Sequence, residues 1–88
     1  GPEEELYHRA VRIARVNYIS GVAPLEPFLV TAKVRYNSQA VGAVLEPSAE
    51  GAVLRFNSPQ RAITPGQAAV FYDGDQLLGG GFIEGSED

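Results

Sequence analysis

The stretch "ITPGQAAVFYDGDQLLGGGFI", Ile63 to Ile83, puts one proline, five glycines and two aspartates around two short apolar runs. Thr64-Pro65-Gly66-Gln67 predicts a type II turn, because proline fixes φ at the second turn residue and glycine supplies the positive φ required at the third. "AAVFY" then predicts a strand, Asp73-Gly74-Asp75 a hairpin turn, and "QLLGGGFI" the returning strand. Gly79 to Gly81 lack the side chains that would stop a strand kinking at a barrel corner or a second backbone packing against it. A phosphate cradle needs a helix start or a Lys-Ser/Thr after the glycines, and this sequence has neither.

The same turn chemistry recurs through the chain. Prolines at 24, 27, 47, 59 and 65 and glycines at 21, 42, 51, 66 and 74 leave only short windows between them, which excludes long helices. In "FLVTAKVRY", Phe28, Val30, Ala32, Val34 and Tyr36 alternate with Leu29, Thr31, Lys33 and Arg35, so one face is core and the other solvent. "AVLRF" repeats this, with Ala52, Leu54 and Phe56 opposite Val53 and Arg55. Gly42 within "AVGAVLEP" predicts a bulge or a close backbone approach. In "ELYHRAVRIARVNYIS" the arginines at 9, 12 and 15 have helical spacing. The β-branched and aromatic residues Val11, Ile13, Val16, Tyr18 and Ile19 favour instead one long strand, bent near Ala14 to Val16. About six strands result, with no long crossover. The fold class expected is all-β, a small antiparallel barrel, since closure removes exposed edges.

With 88 residues and 44% hydrophobic composition the chain is one small globular domain. No apolar run is long enough for a membrane helix and no signal peptide opens the chain, so a cytoplasmic setting without a membrane partner is expected. Gly1-Pro2 reads as a protease scar, and residues 1–5 as scar plus acidic tail. The barrel is expected over 6–83, with a second acidic tail over 84–88. The absence of cysteine excludes disulfides, thiolate metal sites and a cysteine nucleophile within this chain. Asp73 and Asp75 are too few for a cation site, and His8 has no base or acid partner nearby in sequence. No catalytic, cofactor or metal site is therefore expected in this chain.

The net charge is −4, but three acids lie in each tail, and the body between them holds seven bases against five acids. Lys33 and Arg35 share the wet face of their strand, and Arg55 and Arg61 follow. These charges are either a solvated face or a set that meets a phosphate backbone.

"ARVNYISG", "KVRYNSQAVGAVLEP" and "FNSPQRAITPGQAAVFYDGDQLLGGGFI" together resemble the C-terminal domain of the tRNA-specific 2-thiouridylases, from about Leu6 to Ile83. The resemblance implies a six-stranded Greek-key barrel likened to the second domain of elongation factor Tu. It implies a parent that replaces the C2 oxygen of the wobble uridine of tRNA with sulfur, using ATP and Mg2+ in an N-terminal pyrophosphatase domain and two cysteines, followed by a central domain. This barrel would then be a non-catalytic accessory that holds tRNA, weakly when alone, and its partners are tRNA and the parent's other domains. Positions carried over as tRNA-contact candidates are Lys33, Arg35, Gln60, Arg61 and Gln67, and Arg55 joins them from its place on the wet face. The alternative is a purely structural barrel, packed on the catalytic domain through outward apolar residues such as Leu29 and Val53.

Overall fold

The computed structural model describes residues 7–34, 39–61 and 63–87. Among them are the strands β1 (Tyr7–Tyr18), β2 (Phe28–Lys33), β3 (Val41–Ser48), β4 (Gly51–Arg61), β5 (Ala68–Asp73) and β6 (Gln76–Ser86). Each pairs antiparallel with two neighbours, and the sheet closes in the order β1-β4-β3-β2-β5-β6. β2, β3 and β4 are successive neighbours and β1 lies beside β4, which is the Greek-key arrangement. The expected all-β barrel is thus the observed one.

Strand alternation places the core. Val30 and Ala32 of β2 and Ala52, Leu54 and Phe56 of β4 point inward, joined by Val11, Ile13, Ala43, Leu45, Ala69, Phe71 and Ile83. Leu29, Thr31 and Lys33 point outward, as do Val53 and Arg55. The β1 segment is a strand rather than a helix. Its bend falls at Arg15, whose φ is +55°, and its register with β6 shifts between Ala14 and Asn17. A non-glycine residue there costs roughly 1–2 kcal/mol, which closure on both sides of β1 offsets.

Two expectations change in detail. Gly42 sits in unbroken register with β2, opposite Thr31, one residue before β3 begins its pairing with β4 at Ala43. The space a Cβ would take is filled by the Asn57 side chain from β4, so a side chain rather than a bulge or a backbone explains the glycine. β6 also runs on past Ile83, so Glu84, Gly85 and Ser86 of the acidic tail are strand residues. They are held because Arg12 of β1 donates to the Ser86 carbonyl and pairs with Glu84 at 3.7 Å and Glu87 at 3.4 Å. The Glu87 amide completes the hold by donating to the Ala10 carbonyl at 2.9 Å.

Tyr18 ends β1 against the core, with its hydroxyl buried and without a hydrogen-bond partner among the described residues. Burial pushes its pKa up from the ordinary value. The unfolded chain then loses the phenolic proton first, so stability is intact below about pH 10 and falls as pH rises beyond it. Tyr18→Phe is expected to be neutral or to add up to about 1 kcal/mol at pH 7, since an unsatisfied buried hydroxyl is removed. It should also flatten the alkaline limb. Urea unfolding at pH 7 and pH 10.5 checks both, and a loss above 1 kcal/mol at pH 7 contradicts the account.

Antiparallel closure sorts the connections into two ends. The start of β1, the ends of β2 and β4, the starts of β3 and β5, and the end of β6 lie at one end, here the base. The segments 19–27, 49–50 and 74–75 lie at the other, the crown.

Candidate nucleic-acid interface

The base owes its shape to the type II turn. Gly66 has φ +91°, and the Gln67 amide donates back to the Thr64 carbonyl at 3.4 Å. The turn is docked on β6, with Gly66 N–H donating to the Ile83 carbonyl and Ile83 N–H to the Gln67 carbonyl, both at 2.7 Å. Gln67 also closes the turn with its side chain, Oε1 accepting from the Thr64 amide at 3.2 Å.

The other candidates fall into two groups. Arg55 points out from the middle of β4 and meets Glu46 of β3, Nε to Oε2, at 2.8 Å. Gln60 donates from Nε2 to the Ser58 carbonyl at 2.9 Å. In contrast Lys33 and Arg61, the last residues of β2 and β4, have no ion pair or hydrogen bond to their side chains among the described residues. Both lie toward the base, two strand positions apart around the barrel, which is about 10 Å at the usual spacing. Arg35 lies outside the described residues, as does Tyr36.

One cation was missed. Arg15 is exposed and free of an ion pair among the described residues, and its left-handed backbone holds it on the outer face of β1. The only sequence signal for it was the bend expected at Ala14 to Val16. The crown, unlike the base, carries acids without any lysine or arginine. Its turns carry Glu26, Glu50 and Asp75, with Asp73 beside them.

Chemistry of other kinds finds little to build on. Among the described residues no group of three or more histidine, aspartate and glutamate side chains could hold a metal. Grooves of about 230, 340 and 250 Å3 lie on the surface formed by the described residues.

Residues 8–83 match the family model of the aminomethyltransferase beta-barrel domain. With three quarters and more of its length matched, the chain belongs to that barrel-domain family. Its relatives narrow the likeness to tRNA-specific 2-thiouridylases. The chain is 50% identical over 88 residues to the tRNA-specific 2-thiouridylase MnmA of Acidithiobacillus ferrooxidans, covering 99% of this chain and 25% of that protein. It is 50% identical over 84 residues to MnmA of Magnetococcus marinus, covering 94% and 24%, and 49% identical over 89 residues to that of Pelotomaculum thermopropionicum, covering 100% and 24%. The chain thus spans about a quarter of the length of the curated relatives it matches.

Proposed function

We propose that this barrel is a non-catalytic accessory domain of a cytoplasmic tRNA-specific 2-thiouridylase, and that its base helps position tRNA while the rest of the parent thiolates C2 of the wobble uridine. The observation that carries this reading is the pairing pattern of the cations. Arg12 and Arg55 are occupied by acids, whereas Lys33 and Arg61, both toward the base, are not. Gln60 and Gln67 stand by them in a surface held rigid by the docked turn. Contacts of this type fix register on a nucleic-acid backbone without reading its sequence.

Sulfur transfer needs a thiol that this chain does not contain, so persulfide chemistry falls to the rest of the parent, as do ATP and Mg2+. Two phosphate contacts give the isolated domain only weak binding, in the range of about 10⁻⁴ to 10⁻⁶ M typical of non-specific association.

The test is Lys33→Glu with Arg61→Glu in the full-length enzyme. The expected result is a KM for tRNA raised about tenfold or more, kcat at saturating tRNA unchanged, and a salt dependence of binding shallower by about two in logarithmic slope. An unchanged KM and salt slope overturns the reading. Val53 and Leu29 point outward, Leu29 with 75% of its surface exposed, which favours a packing role as the second reading.

A further inference from the structure

Apolar side chains are displayed on this barrel in one place more than any other. Ile19, Val22 and Leu77 are exposed to 63%, 71% and 42%, and Phe82 to 47%. The groove of about 340 Å3 runs along the outer faces of β1, β6 and β5, past Phe82 and Val70 over the backbone of Gly79 to Gly81. The groove of about 250 Å3 lies at the crown, between Val22 and Leu78. Ile19 and Leu77 line both, so the two join into one strip from the crown down the side of the barrel.

The strip is firmly built. The Ile19 amide donates to the Leu78 carbonyl at 2.8 Å, fixing the start of the crown segment to β6. Gly80 adds no side chain to its floor, and Arg15 is the one lysine or arginine on its border. Exposed apolar area of this kind marks an interaction site in a soluble protein.

We infer that this strip is the seat on which the remainder of the longer polypeptide packs, presenting to it an apolar surface with an oxygen acceptor opposite Arg15. The inference rests on the reading that the barrel is one domain of a thiouridylase. The relatives are about four times the length of this chain, so a covalently linked surface is always at hand at high effective concentration. An apolar patch of modest size then suffices, as interfaces between domains of one chain are small. RNA fits the strip poorly. Its crown end is flanked by the carboxylates of Glu26, Asp73 and Asp75, which repel a phosphate backbone, and Arg15 is its only cation. The barrel thus meets its two partners on different surfaces, tRNA at the base and protein along β6 and the crown. The left-handed Arg15 gains a use, since strain of this kind persists where a contact needs it.

Amide hydrogen exchange of the 88-residue chain and of the full-length protein, both without RNA, tests this. Residues 19–27 are expected to exchange at least about tenfold more slowly in the full-length protein, with residues 63–67 unchanged. Ile19→Ser with Leu77→Ser changes only exposed positions. It should leave the melting temperature of the 88-residue chain unaltered and abolish the slowing in the full-length protein. Equal rates at 19–27 in the two proteins, or slowing that survives the double variant, overturns the inference. So does slowing that appears in the 88-residue chain as its concentration rises, which assigns the strip to a second copy. Because no RNA is present, failure here is separate from failure of the Lys33 and Arg61 experiment.

Discussion

Gly81→Val is expected to cost the barrel at least about 3 kcal/mol, at the upper end of what overpacking does to a core. Gly81 is buried on β6 where that strand meets the bend of β1. A Cβ there would stand 2.6 Å from Ile13 Cγ2 and 2.7 Å from the Ala14 carbonyl oxygen. Neither neighbour can withdraw easily, because β1 is paired to β4 on its other side. For a domain of this size, with total stability on the order of 5–10 kcal/mol, such a loss removes a large share. Gly66→Ala is the control that separates space from conformation. Nothing lies within 4 Å of a Cβ at Gly66, and only its φ of +91° opposes a side chain, so a cost of about 1–2 kcal/mol is expected. Urea midpoints of the two variants measure the difference, and equal shifts would show that crowding at Gly81 has been overstated.

Phe71→Ala is expected to cost about 3–5 kcal/mol, the usual range for a fully buried aromatic. Phe71 heads the largest fully buried side chains, at 0% exposure. Its register partners explain the size of the effect. On β2 it faces Ala32 and on β6 it faces Gly79, both too small to move into the vacated volume. A void too large to collapse forfeits packing as well as transfer energy. Phe71→Leu should recover more than half of the loss. If Ala and Leu prove equally costly, the ring is held by its shape rather than by the volume it fills.

Much of this architecture was legible because it is local. The turn at Thr64 to Gln67, the hairpin at Gly74 and the bend near Arg15 each follow from dihedral preferences of a few adjacent residues. Alternation in "FLVTAKVRY" and "AVLRF" likewise assigned faces before any partner was known. The strand order was legible only through the family resemblance, since Val11 opposite Ser86 is a pairing that no local preference encodes. The continuation of β6 through Glu84 to Ser86 was hidden for a related reason. Those residues read as a solvated tail until Arg12 is placed across from them. The state of the cations was the least legible. Arg55 and Lys33 look alike in sequence, and only the register of β3 against β4, with Val44 opposite Arg55 and Glu46 opposite Val53, reveals that Arg55 is spoken for.

Closure between the first strand and the last also sets a timetable for synthesis. The Arg12 side chain finds Glu87 only 75 positions later, and at roughly 5–20 residues per second β1 leaves the ribosome several seconds before β6 can join it. Through that interval β2, β3 and β4 can form their hairpins and β1 can lie against β4, but the flank that β6 will cover stays open. An unpaired flank of this kind invites association with other nascent chains. A barrel closed by its own last strand therefore completes itself only once all six strands have emerged.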